Sequence, residues 1–338
     1  MADAISKERI IPVIFGPTAV GKTDVAIKIA QELDGEIISA DSMQVYRGMD
    51  IGTSKTSADD LAIVPHYLIS IRELTQNFSV VEFLEDVRGA VQIIVLKKKI
   101  PMIVGGTGMY LQSLIEGYTV PQDQGKKEMR GKLELECDKY GLKHMFKKLQ
   151  NVDPHAAAKI HQNDKRRIIR ALEVFELSGH TITKHQKKRR FMEGFKLLLI
   201  GLNRPRPELY KRIDKRVDDM LKQGLVDEVR GLMSKGLCEN KTAFQALGYK
   251  ETVAYINGSI NYQDYVSELK KRTRNFARRQ MTWFRRFSAI GPPQAGKGGS
   301  ASPKESGVLR TGGKNVKWFE TEKEFDAGQI MEYIKAYI

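Results

Sequence analysis

Cysteine is nearly missing from this chain: in 338 residues only Cys137 and Cys238 occur, far apart and outside any CxxC pair. That excludes a disulfide framework and a thiolate zinc cluster, and fits a reducing compartment. No apolar run approaches the roughly 18 residues that cross a bilayer, and the opening MADAISKERIIPVIFG lacks the hydrophobic stretch of a signal peptide. The expectation is a cytoplasmic protein with no membrane contact. No internal repeat is visible, which excludes solenoids and propellers. His155, His161, His180 and His185 lack metal-ligand spacing and are assigned no role. Negative charge is in deficit: 56 Lys plus Arg stand against 41 Asp plus Glu, a net charge of +15. Such an excess favours a polyanionic partner irrespective of fold.

What is present alternates. The β-rich runs IIPVIF (10–15), EIISA (36–40) and PMIVGG (101–106) are separated by helical stretches such as DVAIKIAQEL and VEFLEDVRGAVQIIVLKK. Continuous apolar strands between helices predict an α/β fold whose parallel sheet is covered on both faces. Between 121 and 195 the strand signal stops, helical patterns take over, and basic residues outnumber acidic ones nearly two to one. This reads as an all-helical insertion carrying much of the basic surface. KLLLIGLN (196–203) resumes the sheet, so the expected catalytic core is 10–120 with 196–338. Residues 291–315, rich in Gly, Ser, Pro and Lys, are expected to be a flexible loop or linker. The closing residues predict a short strand and a terminal helix. The chain is long enough for one large or two modest cores, and no large apolar interface is evident, so a monomer is expected.

FGPTAVGKT places Gly16, Gly21, Lys22 and Thr23 in the spacing G-x-x-x-x-G-K-T, directly after a strand and before a helix. That is the context of a phosphate loop. The main-chain N–H groups of Gly16, Pro17, Thr18, Ala19, Val20 and Gly21, so far as each has one, and the helix start cradle phosphate, with Lys22 adding charge. Thr23 is the expected Mg²⁺ ligand. An ordinary kinase or NTPase needs an apolar strand ending in Asp as a second metal anchor, yet PMIVGGTGMY ends in Gly105, Gly106, Thr107 and Gly108. Small residues there admit a ligand closely and Thr107 offers a hydroxyl; a tight turn explains the glycines equally well. Asp41 follows the second strand, at the carboxyl edge beside the phosphates. A carboxylate is repelled there, so it is read as a general base, the other reading being a turn or helix-cap aspartate.

LKKRTRNFARRQMTWFRRF (269–287) holds eight basic residues and no acid between Lys270 and Arg286. At helical spacing Phe276, Gln280, Trp283 and Phe287 share one face and Lys271, Arg274, Arg278 and Arg285 the other, so the first is expected to pack and the second to bind phosphate. The stretch from Arg204 to Pro207 carries no site expectation.

GPTAVGKT, SADSMQVYRGMDIGT, GGTGMY, NDKRRIIRALEVFELSG and QALGYKE, in this order, resemble the bacterial tRNA dimethylallyltransferases, also called isopentenyl-diphosphate:tRNA isopentenyltransferases. The resemblance runs over residues 10–290. It implies a P-loop NTPase-like core and transfer of a dimethylallyl group from dimethylallyl diphosphate to N6 of adenosine 37 in the anticodon stem-loop of tRNAs that read codons beginning with U. It also implies that Asp41 takes the N6 proton, that Thr107 helps place amine and substrate, and that Arg216 grips the prenyl diphosphate. Asp41, Ser42, Met43 and Gln44, with Arg166, Arg167, Ile168, Ile169 and Arg170, match segments that contact tRNA. The family is also described as binding ATP at the P-loop, where the prenyl diphosphate is expected instead. Eukaryotic relatives carry a C-terminal zinc finger; no cysteine follows Cys238, which favours the bacterial type. Two other readings stay open: prenyl transfer to free AMP or ADP, which needs no basic insertion, and a small-molecule kinase.

Overall fold

The computed structural model describes residues 8–117, 126–185, 191–287 and 316–338. The expected linker 291–315 lies outside the described residues. Chain order begins β1 (Arg9–Phe15), α1 (Lys22–Glu32), β2 (Gly35–Ala40), α2 (Ala58–Ile63), β3 (His66–Tyr67), α3 (Val80–Leu96), β4 (Ile100–Gly105) and α4 (Gly108–Glu116). Five helices follow: α5 (Lys126–Tyr140), α6 (Leu142–Val152), α7 (Pro154–Ala157), α8 (Lys165–Ser178) and α9 (Ile182–His185). The chain then forms β5 (Phe195–Asn203), α10 (Arg206–Lys222), α11 (Leu225–Met233), α12 (Tyr249–Ile256), α13 (Tyr262–Phe284), β6 (Val316–Glu320) and α14 (Ala327–Lys335). It divides into two compact units, 1–112 with 192–338 and 113–191.

The first unit is the expected parallel α/β core, a six-stranded sheet ordered β3-β2-β4-β1-β5-β6. Every strand pair in it is parallel. Such strands are apolar along their whole length because helices cover both faces. Ile14, Ile37, Met102, Val104, Ile200 and Leu202 pack with Val25 and Ile29 of α1 and Ile330 and Ile334 of α14. On α3 the spacing of Phe83, Val87, Val91 and Ile94 builds one buried stripe. Its start is fixed by a capping box in which Ser79 and Glu82 exchange side-chain and main-chain bonds. Sequence pattern misses β3, whose two residues pair with Ile37 and Ile38 and are too short to show a period.

Register decides where the loops emerge. Gly105 of β4 lies opposite Ala40 of β2 on one side and Phe15 of β1 on the other. The three strands therefore end level. At Phe15 the sheet meets a ring cluster: Phe284, Phe287 and Trp318 stand 5.2, 5.7 and 5.5 Å from it, centroid to centroid. These contacts seat the end of α13 over the carboxyl edge.

The second unit has helices and no strand among its described residues. Leu133, Cys137, Met145, Leu149, Ile168, Ile169 and Leu172 form its core. Asp164 caps α8 by accepting from the Arg167 N–H at 3.1 Å, and Gly179 closes the helix at φ 67°.

The level strand ends leave no room for a side chain at Gly105, where a Cβ would stand 2.3 Å from the Ala40 carbonyl oxygen. Gly105→Ala is expected to lower stability by about 1–3 kcal/mol. Gly89→Ala, inside α3 with nothing within 4 Å of the new carbon, is expected to raise it by about 0.5–1 kcal/mol. Urea denaturation of the two variants checks both signs.

Candidate active site

Three loops leave the sheet side by side at its carboxyl edge, where open parallel sheets bind ligands. Residues 16–21 join β1 to α1, and Lys22 and Thr23 open that helix. Ala19 and Gly21 take φ of 62° and 104°, which folds the loop into a concave turn. No side chain caps the helix start, so its first amides are left to a ligand and its dipole favours an anion. Lys22 Nζ donates to the carbonyls of Gly16 and Pro17, each at 3.0 Å. Its amine is pushed down to about 7, first by burial and then by the Arg216 guanidinium, while Asp41 pulls it up. Burial also lowers Arg216, against the opposing charges of Asp41 and Asp24.

Arginines brace the loop from the residue after β5 and from α10. Arg216 Nη1 donates to Thr18 Oγ1 at 3.1 Å, Arg212 Nε to the Ala19 carbonyl at 3.0 Å and Arg204 Nε to the Val20 carbonyl at 2.8 Å. In a trans peptide the N–H points opposite the preceding carbonyl, so pinning the Val20 carbonyl turns the Gly21 N–H away from Arg204. Arg204 is 4% exposed, stacks on Phe325 and also donates to the Lys323 carbonyl. Nothing in its local pattern singles it out, although it sits immediately after a strand at the ligand-binding edge.

The second loop follows β2. Asp41 Oδ1 accepts the N–H groups of Met43 at 2.8 Å and Gln44 at 3.3 Å, an Asx turn. No hydrogen bond among the described residues engages Oδ2. The turn reading and the base reading of this aspartate thus use different oxygens. The third loop follows β4: Thr107 donates its N–H to the Ala40 carbonyl at 3.3 Å, and its Oγ1 accepts from the Ser42 N–H at 3.0 Å. Asp41, Ser42 and Thr107 are held as one group.

Gln44 is committed to its own loop. Its Oε1 accepts from Ser39 Oγ and its Nε2 donates to the carbonyls of Thr53 and Ser54. Glu228 of α11 secures the same segment by accepting the N–H groups of Asp50, Ile51 and Gly52 at 3.0, 2.6 and 3.1 Å, and the Tyr249 hydroxyl at 2.7 Å. The Tyr249 ring lies where a Cβ on Gly52 would be, 2.6 Å away. The motif that contains Gly52 and the one that contains Tyr249 therefore meet at a carboxylate that neither includes.

On α13 the buried stripe is Leu269, Thr273, Ala277, Gln280 and Phe284, continued by Phe287 in the turn that follows, whereas Phe276 and Trp283 are only half-buried. The expected packing face is rotated by part of a turn: Gln280 and Phe287 are buried as expected, while Ala277 and Phe284 take the places expected of Phe276 and Trp283, and the small Thr273 and Ala277 let the helix sit close. Gln280 reaches the phosphate loop, accepting the Thr18 N–H at 2.8 Å and donating to the Gly106 carbonyl at 2.9 Å. A polar residue inside an apolar stripe was the available signal, since buried amides are hydrogen-bonded. Lys271 and Arg278 are exposed, against Glu268 and Asn275, but Arg274 is paired with Asp214 of α10 at 2.6 Å.

In the helical unit Arg166 and Arg167 are exposed and Arg170 is half-buried against Glu173 at 2.8 Å. Ile168 and Ile169 are 0% and 3% exposed. Their side chains build the core of that unit and are closed to a ligand, since the helix turns them inward while their neighbours face out. Among the described residues no three His, Cys, Asp or Glu side chains gather as a metal site, and no helix is long and apolar enough to cross a membrane.

A family profile described as IPP transferase matches residues 44–287. A curated tRNA dimethylallyltransferase of Halothermothrix orenii is 47% identical over 82% of this chain and 85% of its own length. One of Bacillus anthracis is 44% identical over 81% and 87%. The solved full-length tRNA isopentenylpyrophosphate transferase of Bacillus halodurans is 36% identical, covers 98% of this chain and 97% of its own, and superposes with a TM-score of 0.66. A eukaryotic dimethylallyltransferase solved acting on tRNA is 28% identical, covers 82% and 70%, and gives 0.69.

Two outcomes follow from this geometry. With the free Lys22 amine at about 7, a bound anion raises it, so binding takes up a proton above that pH. Affinity for inorganic diphosphate should then fall by up to about tenfold per pH unit above 7 from this group, and not below it. Titration calorimetry on wild type and Lys22→Arg, which stays charged, isolates the effect; identical slopes would refute it. Glu228→Ala strips a carboxylate from three main-chain N–H groups and a hydroxyl, and should cost about 2–3 kcal/mol in urea denaturation, with Glu228→Gln losing less.

Proposed function

This chain belongs to the IPP transferase family, and from that premise we propose that it is a tRNA dimethylallyltransferase that moves a dimethylallyl group from dimethylallyl diphosphate to N6 of adenosine 37. The acceptors are tRNAs reading codons that begin with U, and the products are N6-dimethylallyladenosine and diphosphate. The observation that carries this reading is the level ending of β1, β2 and β4, which sets an anion loop, a carboxylate and a hydroxyl next to one another. Its chemistry divides accordingly. The Thr18 N–H is held by Gln280 and the Val20 N–H by the Pro17 carbonyl, which corrects the expectation that these two amides cradle phosphate; the remaining loop amides, the helix start, Lys22 and Arg216 take the diphosphate and stabilise the negative charge that builds as the C1–O bond breaks. Asp41 Oδ2 accepts the N6 proton as the C1–N6 bond forms, while Oδ1 keeps the turn. Thr107 holds the turn and lies at hand for the amine.

Mg²⁺ fits here as a companion of the diphosphate. Thr23 opens α1 beside the loop, and this ion is usually held by substrate phosphates, water and one or two protein oxygens. When bound it supplies positive charge to the leaving group. Since β4 ends in glycine where a kinase needs its metal-anchoring Asp, the kinase reading keeps the phosphate loop but lacks that anchor. The exposed Arg166 and Arg167, with Lys271 and Arg278, are assigned to RNA phosphates, and A37 has to leave its stack to be modified. Ser42 and Met43 lie beside the base through the Asx turn; Gln44 acts by holding 53–54. The basic insertion and the net charge of +15 favour tRNA over free AMP.

Purified protein, Mg²⁺, dimethylallyl diphosphate and an unmodified anticodon stem-loop containing A36-A37-A38 should give one added dimethylallyl group on A37 by mass spectrometry. Asp41→Asn retains an oxygen for the turn and loses the base, so transfer should fall about 100- to 10,000-fold with RNA binding kept. Prenylation of AMP, or ATP hydrolysis with the RNA untouched, overturns the assignment.

A further inference from the structure

The diphosphate loop and the Thr107 loop belong to strands that are neighbours in the sheet, yet beyond the last ladder row their spacing is not fixed by strand pairing. One side chain spans that gap. Gln280 is 5% exposed, and both ends of its amide are used on main chain from distant parts of the sequence: Oε1 accepts the Thr18 N–H at 2.8 Å and Nε2 donates to the Gly106 carbonyl at 2.9 Å. A carboxamide offers an acceptor and a donor at once on two separate atoms of one rigid group. Gly106 has been shaped to it: a Cβ there would lie 2.6 Å from Nε2, and 3.6 Å from Lys22 Nζ. Each end continues into the site. Thr18 Oγ1 accepts from Arg216, and Gly106 precedes Thr107, which carries the Ser42 N–H. The helix behind Gln280 is anchored by Phe284 on Phe15, so the bridge rests on a rigid support.

We propose that Gln280 is a positioning residue that fixes the distance between the donor diphosphate and the acceptor group of Asp41 and Thr107. The proposal rests on the transferase reading above. Without the bridge the donor still binds, because Lys22, Arg216 and the helix start are intact, but C1 and N6 are no longer aligned. A misplacement of about 1 Å costs on the order of 100-fold in such a step. Water then competes for C1: the C1–O bond to diphosphate breaks, a C1–O bond to water forms, a proton goes to solvent, and dimethylallyl alcohol leaves. The mark of lost positioning is diphosphate released without prenyl transfer.

The test compares wild type, Gln280→Leu, Gln280→Glu, which keeps only the acceptor, and Gly106→Ala, which presses on the same amide from the other side. Three quantities are read with the anticodon stem-loop: single-turnover transfer rate, affinity for inorganic diphosphate, and diphosphate released per prenyl group transferred. The expected result is a fall in rate of about 100-fold for Gln280→Leu, diphosphate affinity within about threefold, and a release ratio above the one-to-one of wild type. Gly106→Ala should shift the ratio the same way, and it stands in should Gln280→Leu fail to fold. A folded Gln280→Leu with wild-type rate and one-to-one release overturns the inference alone. So does a loss confined to diphosphate affinity or to the fraction of folded protein, with the ratio unchanged. A wild type that leaves the RNA unmodified overturns the functional reading and this inference with it.

Discussion

The site depends on one row of a parallel ladder. Ala40, Gly105 and Phe15 are joined by main-chain bonds across β2, β4 and β1, and neighbouring strands are spaced about 4.8 Å apart. That spacing brings the loops after them within reach of a single small substrate. A one-residue slip would exchange every strand side chain between the two covered faces and break the close packing of each. The row also requires glycine at its centre, where the Ala40 carbonyl occupies the space a side chain would need. Geometry at the edge is thus inherited from the core, and the loops need only local holding.

That holding is done by side chains bonded to main chain. Between Asp41 and Ser57 there is no helix or strand, apart from the isolated bridge of Tyr46 to Arg72, so the polar groups there have no ladder to join. Asp41, Gln44 and Glu228 take their place, and Arg204 and Arg212 do the same for the carbonyls of the phosphate loop. The consequence is electrostatic as well as steric. Cations that brace the loop from behind and Lys22 within it leave the pocket positive, and Asp41 is the counter-charge that keeps Lys22 from falling further. In the proposed reaction an arriving diphosphate takes over that role, which leaves Asp41 to act on a proton.

The parts of this arrangement written locally were legible in the sequence. Spacing gave the phosphate loop, apolar runs gave β1, β2, β4 and β5, and Asp41 stood out as a charge where a strand should open on a site. The parts that depend on a partner far along the chain were not. Nothing around Glu228 announces that it will meet Ile51, and Arg204 looks like any arginine before a proline until Val20 is placed beside it. Phase was the other weakness. Over the 23 residues of α13 the choice between Phe276 and Ala277 as the buried position is made by how closely the helix approaches the sheet. For the same reason Ile168 and Ile169, inside a run that resembles an RNA-contacting segment, turned out to be core.

The basic surface has to be read with its carboxylates. Lys271 lies against Glu268, Arg167 against Asp164, and Arg274 against Asp214. Counting these cations as spoken for would remove much of the charge that argues for RNA. Exposed ion pairs, however, are worth about 0–1 kcal/mol each, less than the gain when an RNA phosphate takes the same cation and condensed counterions are released. A partner of that strength orients a side chain without withholding it. Arg274 differs, since it is half-buried, stacks over Tyr210 and ties α13 to α10. Its charge is used in seating the helix that carries Gln280.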